Sequence, residues 1–403
     1  MARNNRLSFT MLLIMIVIVY SIMPIVNVFF SRYLTTYSYM LVCVLTLAII
    51  IFSNGSQSLN SYVSILLPFI FYELLTFFNR SDSIVMWGYQ VMLFLLPVAL
   101  GYYLFYEQDD TSRKLSFVTF RFAIIVTIIT TIVGCIRNPS AARILATIAT
   151  SQDTQNISFS WQNIGGYGFV YTVVLLFPLV IYAYKQKRIS LFAFLLFLIS
   201  AFALAIVTEY TTALLLLMIS SIFIFVSEKL SFKGMVWIGI IGIVFVMLFQ
   251  DTVNDFLLGL ASRLNSETLA ERLTTLAGGQ TALEASEDNR IWLYRYSFDT
   301  FLSHPLFGTM FGGSGRIGGH SAILDTLGQY GIIGGAALFC MYRKVYRVFV
   351  APYREHNGYG FIVWTFIQTI FLSAVNTGLW FSVLALFMPL MLFAINKEER
   401  QLT

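Results

Sequence analysis

Charge is scarce in this chain of 403 residues: Asp, Glu, Lys and Arg make up 11% of it, against about a quarter in a soluble domain. A water-covered surface cannot be built from so little. Cysteine is scarcer still. Cys43, Cys135 and Cys340 stand at unrelated spacings within or at the ends of apolar runs, which fits neither a disulfide framework nor a metal site. Neither His-Glu-x-x-His nor Cys-x-x-Cys occurs, and the outer loops defined below hold no Asp-x-Asp pair, so no metal or other cofactor is expected. The missing Walker motif excludes ATP as a driving force. Two inverted halves with interrupted helices at matching positions, the pointer to a secondary transporter, are also missing.

What is present is apolar. Hydrophobic residues make up 58% of the chain, with 38 Phe and a mean hydropathy of +0.78. A membrane span needs about 20 such residues, and twelve runs qualify: 9–30, 37–52, 60–78, 84–106, 116–136, 163–184, 189–207, 211–226, 234–250, 321–341, 359–373 and 377–395. The first follows a basic N-terminus. Its length, and the lack of a small-residue cleavage site, favour a retained span over a secretory leader. The expectation is an all-α polytopic membrane protein, one integral membrane domain over 1–403 with about twelve transmembrane helices.

Orientation follows from the positive-inside rule. With the N-terminus in the cytoplasm, fifteen of the 25 basic residues fall in short cytoplasmic segments. Both termini are then cytoplasmic, and the long loops 137–162 and 251–320 lie outside. Nine basic residues face outward: Arg32, Arg80, Arg137, Arg143, Arg263, Arg272, Arg290, Arg295 and Arg316. None is lysine. A topology signal needs no such choice, whereas a pyrophosphate does, because guanidinium pairs with it as a rigid, permanently charged fork. Chance is the alternative, given only seven lysines in all.

Within the 251–320 loop, Asn254 to Ala277 reads as a helix ended by Gly278-Gly279. A second helix runs from Arg290 to Leu302, behind the capping residues Ser286 to Asn289. Ile291, Tyr294, Phe298 and Phe301 or Leu302 form its expected buried stripe. Arg290 stands in its first turn, where free amides favour anions. His304-Pro305 stops it, and the Gly-rich stretch Gly308 to Gly319 leads to His320 at the mouth of the tenth span.

His320 is either a general base whose titration suits neutral chemistry or a polar helix cap. Glu209, at the tight joint between spans seven and eight, is either exposed at the interface or turned into a cavity. Asp325, five residues past His320, either pairs with an arginine or orients the histidine.

Asn289-Arg290-Ile291-Trp292-Leu293-Tyr294, then His304-Pro305-Leu306-Phe307-Gly308, then His320-Ser321-Ala322-Ile323-Leu324-Asp325 through Gly331-Ile332-Ile333-Gly334 resemble the O-antigen ligase and polysaccharide polymerase superfamily. Trp161-Gln162-Asn163-Ile164-Gly165-Gly166 is similar to that family's Asn-x-x-Gly signature. The twelve-span layout, with its large outer loop between spans nine and ten, also fits and is GT-C-like. The match covers roughly 160–340. His320-Ser321 stands where the family often has His-Asn. Tyr210-Thr211 lacks the arginine of the family's turn between spans seven and eight, so that Arg137, Arg143 or Arg316 would have to supply the contact.

The resemblance implies a glycosyltransferase of the cytoplasmic membrane. It would polymerise undecaprenyl-pyrophosphate-linked repeat units into capsule or O-antigen on the outer face, with inversion and without metal. His320 would take the proton of the acceptor hydroxyl. Arg290 would stabilise the charge developing on the departing pyrophosphate, with Arg316, Arg295, Arg137, Arg143, Glu209 and Asn163 binding substrate. The implied partners are the lipid-linked donor and acceptor, the bilayer, a flippase and a chain-length regulator; nucleic acid is not among them. The looseness of the motif match leans to polymerase over ligase. A transporter of lipid-linked sugars, the reading from another class, predicts charges spread through mid-membrane positions. Here they gather on one outer face.

Overall fold

The computed structural model describes residues 2–34, 36–52, 56–78, 83–108, 110–139, 141–147, 154–225, 234, 290–312 and 314–395. Every described element is helical. The helices are α1 (Ala2–Ile22), α2 (Pro24–Phe29), α3 (Thr36–Phe52), α4 (Ser56–Phe78), α5 (Ile84–Tyr102), α6 (Asp110–Arg137), α7 (Ala141–Thr147), α8 (Thr154–Trp161), α9 (Tyr167–Lys185), α10 (Leu191–Val207), α11 (Thr211–Ser221), α12 (Arg290–Ser303), α13 (Ala322–Val345), α14 (Tyr359–Val375) and α15 (Met388–Ile395). A π-helical turn, Val383–Phe387, leads directly into α15.

Among the described residues, five helical stretches are long and apolar enough to cross a membrane: Leu59–Phe78, Ile84–Glu107, Asp110–Arg137, Tyr167–Lys185 and Ala322–Tyr353. Shorter apolar helices occupy Tyr37–Phe52, Leu191–Val207, Thr212–Ile224, Tyr359–Val375 and Val383–Ile395. Helix thus forms at each expected apolar run except 234–250, of which 235–250, like 254–277, lies outside the described residues.

The first run departs from a single straight span. It bends by 107° between Phe9–Ile22 and Pro24–Leu34. Pro24 has no N–H to continue the helix, and it pushes Met23 out of the helical region, to ψ 108°. The bend leaves the amide of Ile25 without an intrahelical partner, and Asn163 Oδ1 accepts it at 3.3 Å.

Side chains are distributed as a lipid solvent demands. On α6, Ser112, Ser116, Thr119, Thr127 and Thr131 are buried, while Val118, Phe122, Ile125, Ile129 and Ile136 are exposed. Small polar residues let helices approach closely and hydrogen-bond, while bulky apolar ones meet lipid. On α10 the exposed stripe is Phe192, Leu195, Leu196 and Ile199, at helical spacing. In water such stripes would be aggregation-prone patches. The span on α9 is 83% buried, about twice the share of the other four long spans (39–44%), so α9 is the strut around which the others pack.

Candidate functional site at the α12–α13 corner

Helix α12 runs from Arg290 to Ser303, in agreement with expectation, but its buried face differs. Ser297 and Thr300 are buried, whereas Phe298 is 46% and Leu302 58% exposed. The reason is close approach to a glycine loop: a Cβ on Gly318 would lie 1.9 Å from the Leu293 carbonyl oxygen, and one on Gly328 would lie 2.9 Å from that of Ser297. Only small side chains fit that seam. The large apolar residues turn outward, where Leu306, Phe307 and Phe311 are also exposed.

Asp325 organises the loop that carries His320. Its Oδ1 accepts the Ser297 hydroxyl at 2.5 Å and the Gly319 amide at 3.2 Å, while Oδ2 accepts the Ser321 amide at 3.1 Å. Ser297 Oγ in turn accepts the Gly318 amide at 2.9 Å. The peptide groups on both sides of His320 are therefore held by one carboxylate. The N-cap of α13 is Ser321, whose hydroxyl accepts the Leu324 amide at 3.1 Å. His320 is relieved of the capping task, and its side chain is exposed. Asp325 orients the histidine through its loop, not through its ring.

A second device fixes the same corner. Gly331 breaks α13 with φ 63° and ψ −154°. In an unbroken helix the Ile332 amide would bond the Gly328 carbonyl. Here the Pro305 carbonyl accepts the Ile332 amide at 2.8 Å, and the Thr309 amide donates to Gly328 at 3.1 Å. The turn after α12 is inserted into the break and satisfies both groups, which no lipid could do.

The arginines of this corner are placed as follows. Arg290 is the first residue of α12. Arg295 is exposed, 3.4 Å from Asp299 and over the Trp292 ring. Arg316 is exposed and lies 4.4 Å over the Tyr296 ring, and its carbonyl accepts the Thr300 hydroxyl at 2.9 Å. His304 bonds the Ser314 carbonyl through Nε2 at 2.9 Å, closing the glycine loop. No family model and no curated protein matches this chain.

The other expected site residues belong to the α6–α11 side. Arg137 ends α6 and is exposed, and Arg143 lies on α7. Glu209 makes the α10–α11 turn with φ 58° and is half-buried. Asn163 is 3% exposed, with φ 55°. Its amide nitrogen donates to Thr127 and Thr130, both at 3.1 Å, while its oxygen holds Ile25. That places it as a tie between α2, α6 and the entry to α9. The two sides are bridged by the segment after α14: Tyr294 donates to the Val375 carbonyl at 2.9 Å, and the Ala322 amide to that of Asn376 at 2.8 Å.

Glu73 went unnoticed in the sequence. It is the one acid in the 60–78 run, and that isolation inside a span was the available signal. The Thr76 hydroxyl lies 3.1 Å from its carboxylate and receives the Trp87 N–H at 2.9 Å. Beside it, Tyr72 and Thr326 share a buried hydrogen bond of 2.9 Å that joins α4 to α13.

Proposed function

We propose that this protein is a membrane glycosyltransferase that joins undecaprenyl-pyrophosphate-linked oligosaccharide units into a surface polysaccharide on the outer face of the cytoplasmic membrane. One observation carries the reading: Asp325 clamps the backbone on both sides of His320 while Ser321 takes the capping duty, which leaves an exposed imidazole on a rigid mount. Catalytic bases need such a mount, because proton transfer depends on geometry before acidity.

The arginines of the same corner support the reading. Arg290, Arg295 and Arg316 come from α12 and the glycine loop that docks on it, and fixed guanidinium groups stabilise charge developing on a pyrophosphate leaving group. In the proposed reaction the acceptor hydroxyl attacks the anomeric carbon and His320 takes its proton. The glycosidic carbon–oxygen bond breaks, and the electron pair leaves with the lipid pyrophosphate. Five helices long and apolar enough to cross a membrane support the membrane part of the reading; the twelve-span layout, with both termini cytoplasmic and residues 251–320 outside, is proposed from the apolar runs and the placement of basic residues in the sequence.

The test is surface-polysaccharide length on a gel, in a deletion strain complemented with wild type, His320→Ala or Arg290→Ala at matched expression. A long ladder from wild type and single-unit product from both variants is the expected result. Polymer that forms without the protein but stays on its lipid carrier would make the protein a ligase. Variants indistinguishable from wild type would remove the site.

A further inference from the structure

Asn376 and Trp380 lie four residues apart in the segment between α14 and the last helix. They are 6% and 8% exposed. Asn376 Nδ2 and Trp380 Nε1 are the two buried side-chain N–H donors without a hydrogen-bond partner among the described residues. A buried donor left unpaired is costly, and each of these two, close together in one short segment, calls for an acceptor. Gly378 sits against the same indole edge. A Cβ there would lie 3.0 Å from Trp380 Nε1 and 2.8 Å from two ring carbons, so only glycine fits against that edge.

The surroundings specify the acceptor. Trp380 packs at centroid distances of 5.9 Å from Tyr167 and 5.5 Å from Tyr171, and both tyrosines contact Tyr210. No Lys or Arg occurs in 163–184, 189–228 or 355–396, the segments that supply the wall's side chains, although the Tyr210 hydroxyl donates to the Ala142 carbonyl at 2.7 Å, one residue from Arg143 on α7. The side chains of the wall itself are aromatic and uncharged. Aromatic faces combined with N–H donors suit an uncharged ring that has an apolar C–H face and oxygen acceptors at its rim. Arg290, Arg295 and Arg316 stand on the opposite side of the Val375–Asn376 bridge, while Arg137 and Arg143 share the side of the aromatic wall.

We propose that Asn376 and Trp380, walled by Tyr167, Tyr171 and Tyr210, form a subsite for a neutral pyranose ring of the glycan. The sugar's hydroxyl or acetamido oxygens accept the two N–H groups. The assignment rests on the glycosyl-transfer reading and divides the substrate between two walls, pyrophosphate on the arginine side and sugar on the aromatic side.

The experiment uses the detergent-solubilised full chain with methyl glycosides of glucose and N-acetylglucosamine, observed by saturation-transfer NMR. Wild type is expected to saturate at least one glycoside. Trp380→Phe, which keeps the ring and removes the N–H, should weaken binding about fivefold, the worth of one hydrogen bond. Asn376→Leu should act in the same direction, and Gly378→Ala should obstruct the site from the third side. Phosphorus line broadening of inorganic pyrophosphate, run in parallel, should be unchanged in these variants and reduced in Arg316→Ala. The subsite is overturned if no glycoside binds wild type, if Trp380→Phe binds it undiminished, or if that variant loses pyrophosphate instead. Sugar binding that follows these variants, in a protein that neither binds pyrophosphate nor makes polymer, would sink the transferase reading and leave the subsite standing.

Discussion

Ser297 on α12 and Asp325 on α13 meet through a 2.5 Å hydrogen bond, and the same carboxylate oxygen takes the amide of Gly319. One side chain thereby locks two helices and the loop before His320. Asp325→Ala should cost on the order of 3 kcal/mol, since bonds to a charged acceptor are each worth about 1.5–3 kcal/mol and several are lost together. Thermal unfolding in detergent reads the stability loss, and polymer length reads the activity.

His320→Ala should separate from that behaviour. The side chain is exposed, so stability should change by no more than about 0.5 kcal/mol. Transfer should fall by about 10²–10⁴-fold, the usual contribution of a general base. Ser321→Ala gives the opposite pattern: a cap loss of about 1 kcal/mol with measurable transfer retained. A melting curve beside an initial rate for each variant decides the matter. Equal loss of both quantities in His320→Ala would reduce the histidine to scaffolding.

Gly331→Ala should be severe for a protein of this size. The backbone there has φ 63°, and a Cβ would lie 2.4 Å from the Leu306 carbonyl group. The expected cost is about 2 kcal/mol from the backbone conformation alone, with the contact added. Lower yield of folded protein on size-exclusion chromatography, relative to Gly335→Ala in the same helix, is the measurement.

Asn163→Ala should free the bent N-terminal element from α6, with a cost of about 2–3 kcal/mol for three bonds lost in a buried place. Proteolysis within 23–34 should rise while the mass of the remaining fragment stays intact. If cleavage is unchanged, Asn163 is not what holds the bend.

Orientation can be read directly. With Cys340 changed to Ser, single cysteines at the exposed positions Thr377 and Glu355 should behave oppositely in whole cells. Thr377→Cys should react fully with an impermeant maleimide, and Glu355→Cys only after permeabilisation. The remaining Cys43 and Cys135 are buried and supply the unreactive background.

Helices were legible in the sequence because a lipid solvent makes the pattern blunt: long apolar runs set off by short basic clusters. The end of α12 was legible from His304-Pro305. Its buried face was not, because apolar periodicity assumes an apolar neighbour and the real neighbour is a glycine loop with polar contacts. The bend at Pro24 was written in one residue but masked by the apolar letters around it. At the site, His320 and the arginines were visible by type. The Asp325 clamp needed the fold, since it joins residues 28 apart. Asn376 and Trp380 carried no motif, and their unpaired donors exist only once the chain is packed.

The turn docked in the break of α13 has a consequence for chain length. Pro305 with Ile332, and Thr309 with Gly328, close two nested rings of fixed size. A single residue added inside either ring shifts one partner past the other, so neither half of the broken helix finds its bond. Such additions should be rejected throughout 306–331.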